Sequence, residues 1–160
     1  MMRIGFGYDS HRFIDGDHIM MGGVRLPYTS ALKAHSDGDV LLHAVADALL
    51  GAAALGDLGQ HFPDTDPDYQ SANSADLVKK ILSLLDERQF AINNIDSTII
   101  AEAPKFSPYM TEIRHSVAEV LGLPVSQVSV KATTNEQMGW IGRGEGIAVH
   151  AVVLLSSSLS

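Results

Sequence analysis

From His35 to Asp66 the chain reads HSDGDVLLHAVADALLGAAALGDLGQHFPDTD, and this stretch constrains the fold more than any other. Its middle is an apolar run of small and branched side chains, Val40-Leu41-Leu42 and Ala44-Val45-Ala46, broken by His43 and Asp47. Ser36 with Asp39 three residues on has capping-box spacing, which predicts a helix beginning near Asp37 and running to Gly51 or Leu55. Positions four apart share a helix face, so Asp39, His43 and Asp47 form one polar stripe. An imidazole between two carboxylates is costly to bury among Ala and Leu unless it finds partners. A solvated helix face accounts for the stripe equally well at this point.

Around that helix the pattern alternates between short strands and amphipathic segments. Residues 3–8 (RIGFGY) read as a strand loosened by Gly5 and Gly7, and Asp9-Ser10-His11 follows at once. In extended chain, residues two apart aim the same way, so Asp9 and His11 can converge. Residues 18–21 and 24–26 flank Gly22-Gly23 and predict a hairpin, with a loop over 28–34. After a turn-rich segment (56–73), Leu77, Ile81, Leu84 and Leu85 give residues 74–88 a helical apolar face. A strand is expected over 94–101. A third helix opens at Ser107-Pro108 and closes at Gly122, and strands follow over 125–132 and 146–155. The order predicts an α+β fold: a single domain over 1–156 with a frayed tail at 157–160. It has one mixed β-sheet with helices packed on one face.

A chain of 160 residues can bury a real core, and a net charge of −8 argues against a nucleic-acid or anionic-membrane surface. No apolar run reaches the roughly 18–20 residues of a membrane helix, and no signal peptide opens the chain. The expectation is a cytoplasmic protein. With no cysteine, any metal must be held by His, Asp or Glu. A phosphorylated ligand would need positive charge supplied locally, from metal ions, backbone N–H groups or a few basic side chains.

Asp9 and His11 at a strand end, with His43 on the helix, would make an Asp-His-His set with an open position. Such a set suits a zinc ion that activates a bound ligand. The same ligand types also form a facial triad for non-haem Fe(II). Asp47, one turn beyond His43, could orient that imidazole, or simply be a surface carboxylate. At 131–136, KATTNE runs off a strand; adjacent hydroxyls and N–H groups there suit phosphate oxygens, and Glu136 could hold Mg2+ against them or be solvated. The small residues of 101–105 (AEAPK) leave room for a flat ligand. The glycines of 142–146 (GRGEG) lack the strand–turn–helix context of a dinucleotide fingerprint; an ion pair or a bend explains them.

Taken together, RIGFGYDSHRF, GGVRLPY, AHSDGDVLLHAVADALLGAAALGDLGQHFPDTD, IIAEAPK and VKATTNEQMGWIGRGEGIA, in this order, resemble the 2-C-methyl-D-erythritol 2,4-cyclodiphosphate synthases of the non-mevalonate isoprenoid pathway. The resemblance spans nearly the whole chain. It implies conversion of 4-diphosphocytidyl-2-C-methyl-D-erythritol 2-phosphate into the cyclic diphosphate, with release of CMP. It implies Zn2+ on Asp9, His11 and His43, and Mg2+ or Mn2+ on the substrate diphosphate with help from Glu136. His35 and Thr134 would act in catalysis. Ser36, Asp57, Leu58, Gly59, His61, Phe62, Pro63, Asp64 and Thr65 would shape the pocket for the phosphorylated erythritol. Ala101, Glu102, Ala103, Pro104, Lys105, Phe106 and Ser107, with Thr133 and Thr134, would receive the cytidine and its phosphates, and Asn135, Trp140 and Arg143 would also bind substrate.

The same resemblance implies a homotrimer with active sites between subunits. Arg143 and Glu145 would lie by an axial cavity able to hold an isoprenoid diphosphate. Asn135 stands where relatives often have Thr, and Trp140 where Phe is common. Two rival functions use the same residues: a non-haem Fe(II) oxygenase built on the triad, and a non-catalytic trimer that binds isoprenoid diphosphates.

Overall fold

The computed structural model describes residues 1–63, 65–69 and 71–157. Seven strands are present: β1 (Met2–Asp15), β2 (His18–Met21), β3 (Val24–Pro27), β4 (Ser30–Leu32), β5 (Phe90–Ile100), β6 (Val128–Thr133) and β7 (Gly146–Ser157). The helices are α1 (Val40–Ala53), α2 (Leu58–His61), α3 (Ser74–Glu87), α4 (Met110–Leu121) and α5 (Gly139–Gly142). Five strands form one sheet in the order β4-β1-β7-β5-β6, while β2 and β3 form a separate hairpin. Only β5 and β6 pair in parallel; the other pairs are antiparallel, so the sheet is mixed. With α1, α3 and α4 against one face, this is the expected single-domain α+β architecture.

Alternation along the strands decides which face is covered. On β7, Ile147, Val149, Ala151, Val153 and Leu155 are buried, and their row partners Ile95, Ser97 and Ile99 on β5 join the same core. The helix α1 lies directly on β1. A Cβ on Gly5 would come 1.9 Å from the Ala48 carbonyl oxygen, and one on Gly7 would come 1.9 Å from that of Ala44. Two glycines on the strand and the small faces of Ala44, Ala48 and Ala52 on the helix therefore allow backbone to approach backbone. Arg3 Nε donates to the Ala52 carbonyl at 2.6 Å, tying down the last turn of α1. The opposite face of the sheet is left open, with Ile4 (72%), Phe6 (59%) and Val152 (41%) exposed.

The helix start differs from the expected one. Asp39, not Ser36, caps α1: its carboxylate accepts from Leu42 N–H at 3.0 Å. The same carboxylate accepts from the N–H groups of Gly22 and Gly23 at 2.8 and 2.6 Å, so it also locks the β2–β3 turn. Asp39 thus leaves the polar stripe, is fully buried, and finds the partners that burial demands.

β1 extends through Asp9-Ser10-His11 to Asp15, because β7 pairs with it as far as Arg12 and β4, within the expected loop, takes up Phe13 to Asp15. β5 starts at Phe90 rather than at 94, with a register shift between Ile92 and Asn94. A 3-10 turn over Val125–Gln127 delays β6, and another over Ser107–Tyr109 precedes α4. Ser157, expected in the tail, pairs with Phe90; residues 158–160 lie outside the described residues.

Candidate metal centre and substrate cavity

Asp9 and His11 alternate onto the covered face of β1, where His43 rises from the first turn of α1. Their donor atoms converge: Asp9 Oδ2 lies 2.8 Å from His11 Nε2 and 3.0 Å from His43 Nδ1, and the two nitrogens are 3.2 Å apart. Among the described residues this is the only group of three or more His, Asp or Glu side chains so gathered. The surroundings fix which atoms face inward. Asp9 Oδ1 accepts from Ser10 N–H at 2.8 Å, leaving Oδ2 to the cluster. The Lys33 carbonyl can only accept, so His11 Nδ1–H donates to it at 2.7 Å and Nε2 faces the cluster.

Electrostatics follow from that packing. Burial pushes the Asp9 carboxyl up, but the hydrogen bonds and charges of His11 and His43 outweigh it and bring the pKa to about 2. Burial also pulls the His11 imidazole down, yet the bond to Asp9, its charge and the Lys33 carbonyl leave it above the ordinary imidazole value. Asp47 does not reach His43. It accepts from Leu58 N–H at 2.7 Å and so holds the start of α2; burial pushes its carboxyl up.

A cavity of about 480 Å³ opens beside the cluster. Asp9, His11 and His43 share its wall with His35, Ser36, Leu58, Gly59 and Phe62. Others expected in that pocket make local hydrogen bonds. Asp57 caps α2 by accepting from Gln60 N–H at 2.9 Å, and His61 Nε2–H donates to the Leu55 carbonyl at 2.8 Å. Pro63 and Thr65 are exposed, and Asp64 lies outside the described residues.

The residues expected on the cytidine side gather elsewhere. Thr133 pairs with Ile100, Ile100 with Ala148, and Ala148 with Ser10, so Thr133 sits in the same row as the cluster, three strands away. Three strand spacings are about 14 Å. Glu102 Oε1 accepts from the N–H groups of Asn135 at 2.9 Å and Gln137 at 3.1 Å, bracing the loop after β6, while Asn135 Nδ2 donates to the Met138 carbonyl. Ala103, Lys105, Ser107, Thr133, Thr134 and Glu136 are exposed there, Pro104 is half-buried, and Ala101 and Phe106 are buried. Trp140 and Glu145 face a second hollow of about 380 Å³, shared with Ser10, His11, Arg12 and Lys33. Arg143 Nε donates to Glu145 Oε1 at 2.6 Å.

Residues 2–156 match the model of the YgbB family. The chain belongs to that family. Among its relatives, 2-C-methyl-D-erythritol 2,4-cyclodiphosphate synthase from Pseudomonas aeruginosa strain UCBPP-PA14 is 58% identical over 96% of this chain and 98% of its own. The synthase from Azotobacter vinelandii strain DJ is 57% identical over the same shares. Of solved structures, the CDP complex of IspF from Plasmodium falciparum superposes with a TM-score of 0.86 at 34% identity, over 98% of this chain and 96% of that one. The bifunctional IspDF from Campylobacter jejuni gives 0.93 at 42% identity; 97% of this chain covers only 42% of that longer one.

Some participants escape a reading of side-chain types. Lys33 contributes through its carbonyl, which any residue possesses. Ala34, Tyr69 and Leu77 line the cavity as ordinary apolar surface. Ser74, which reaches His43 from its far side, and Asp37, which accepts the Ser74 hydroxyl proton, lie 37 residues apart in sequence, and nothing in either neighbourhood signals the other.

Proposed function

We propose that this member of the YgbB family is a cyclodiphosphate synthase. It closes 4-diphosphocytidyl-2-C-methyl-D-erythritol 2-phosphate into 2-C-methyl-D-erythritol 2,4-cyclodiphosphate and releases CMP. The observation that carries this reading is the Asp9–His11–His43 cluster at a cavity wall, in a chain more than half identical to synthases of that name along almost its full length. Those names favour it over an Fe(II) oxygenase on the same triad and over a non-catalytic isoprenoid-diphosphate binder.

The donor set fits a metal ion. Three donors bound at about 2.0–2.1 Å on a tetrahedral ion stand about 3.3 Å apart, so these three need to spread by only a few tenths of an ångström. Zn2+ is the ion assigned to Asp9, His11 and His43, and Mg2+ or Mn2+ to the substrate diphosphate with Glu136. Bound there, the two ions spread negative charge at the phosphates.

The chain's own part is to fold the substrate. Its 2-phosphate is already an ionised nucleophile, so no strong base is required. An oxygen of that phosphate bonds to the β-phosphorus, the α–β bridge breaks, and CMP departs with the bridging oxygen. Holding the two ends together is worth an effective molarity that can reach ~10⁵ M or more. His35 and Ser36 donate to the phosphorylated erythritol on the cavity wall, while Leu58, Gly59 and Phe62 enclose it. Thr134 and Lys105 donate to the diphosphate, and residues 101–107 with Thr133 and Asn135 take the cytidine.

Within one chain the two halves of the site stand about 14 Å apart across the sheet. The family resemblance implies a homotrimer, and we adopt it: the metal cluster of one copy would face the cytidine segment of the next, and the open apolar face of the sheet would supply the contact. Arg143, beside Glu145, would meet an isoprenoid diphosphate near the axis. The test is incubation with the substrate, Zn2+ and Mg2+, followed by phosphorus NMR. Two coupled phosphorus signals of a cyclic diphosphate, with equimolar CMP, are expected. Unchanged substrate would overturn the proposal.

A further inference from the structure

We propose that Ser74 and Asp37 form a relay that holds His43 in the tautomer whose Nδ1 is free for the metal, making both of them positioning residues; this rests on the metal reading of the cluster. Asp37 is clasped at the start of α3, where its carboxylate accepts the Ser74 hydroxyl proton on Oδ1 and the Ser74 backbone N–H on Oδ2 at 2.9 Å. It also accepts from Asp39 N–H at 3.1 Å. With its proton committed to Asp37, Ser74 Oγ can offer only lone pairs to its other neighbour, His43 Nε2, at 2.9 Å. Nε2 must then carry hydrogen, so in the neutral ring, the form that binds an ion, Nδ1 carries none. It is Nδ1 that faces Asp9 and His11.

Burial makes the assignment firm. Ser74 is 1% exposed, so water cannot substitute for either partner. Ser36 Oγ stands 3.1 Å from the same Nε2, but it lies on the cavity wall, and among the described residues no carboxylate accepts its proton. A carboxylate acting through a hydroxyl on the distal ring nitrogen also makes the imidazole a better donor to the ion. The relay joins the start of α1 to the first residue of α3, so two helices that pack together share one ligand's orientation.

The full-length protein, stripped of metal, is titrated with Zn2+ against a chromophoric chelator. Ser74→Ala should bind zinc about 10- to 100-fold more weakly than wild type. Ser74→Cys keeps the side-chain volume and loses the good acceptor, so it should weaken binding likewise and stands in if the alanine variant does not fold. Asn73→Ala is the control for the helix end. It removes the cap of α3, where Asn73 Oδ1 accepts from Ala75 N–H at 2.8 Å, and touches no part of the relay. Its thermal midpoint should fall while its zinc affinity stays at the wild-type value. Wild-type affinity in both Ser74 variants, or an equal loss in Asn73→Ala, would overturn the relay alone. A wild type that takes up no zinc would overturn the metal reading and the relay with it.

Discussion

At the scale of single residues, each member of the candidate metal centre is held by a group outside the cluster: the Lys33 carbonyl for His11, Ser74 for His43, and Ser10 N–H for Asp9. That is why His11→Ala and His43→Ala should each cut CMP release by at least about 100-fold, the scale of losing a principal charge-stabilising group, as measured by chromatography of the nucleotide. The metal-free protein should respond to pH on both sides. Asp9 sits below its ordinary 3.8, so its contribution is present above that value and is lost as pH falls towards 2; it amounts to roughly 2 kcal/mol at most. His11 sits above 6.5, so its contribution is present below that pH and fades as pH rises through its folded value. Zinc competes with protons for the same atoms, so the stabilisation it adds should grow as pH rises from 5 to 8. Thermal melts with and without Zn2+ across that range check this. The Asp9-x-His11 pairing was legible in sequence because a strand repeats every two residues. The tautomers were not, because they depend on carbonyls and hydroxyls brought in from elsewhere in the chain.

Among the elements, the contact between α1 and β1 sets the site. Gly7→Ala places a Cβ against the Ala44 carbonyl, one residue from His43, and backbone cannot yield as a side-chain tip would. It should cost about 3 kcal/mol or more in urea unfolding, at or beyond the upper end of ordinary overpacking, and should weaken zinc binding as well. Asp39→Ala removes three backbone hydrogen bonds to a buried carboxylate and frees the hairpin turn; a loss of about 3 kcal/mol is expected by the same measurement. The amphipathic period exposed α3 and α4, and the Gly22-Gly23 pair exposed the hairpin, since those signals are local. The role of Asp39 was hidden: a residue spaced like part of a helical stripe proved to be the cap itself, because its partners come from a turn 16 and 17 residues away. The loop over 56–73 was legible only as turn-rich; the helix α2 within it is built by Asp57 and by Asp47, which also lines the cavity.

For the whole molecule, the central proposal is that one chain carries two half-sites, each completed by a neighbouring copy. An apolar strip of Ile4, Phe6 and Val152 lies open to solvent on the uncovered face of the sheet, beside the Lys131–Asp96 ion pair. Phe6→Glu should therefore yield a smaller species in light scattering, with zinc binding kept and CMP release lost. That proposed division comes from the family resemblance alone, since neither period nor motif reports which chain a residue will face. The most direct test mixes two inactive variants, His43→Ala and Glu136→Ala, by co-expression or refolding. If every site takes its metal cluster from one copy and Glu136 from another, random assembly restores intact sites in about a quarter of positions, and CMP release returns to about a quarter of wild type. A mixture as inactive as its two components would contradict the account.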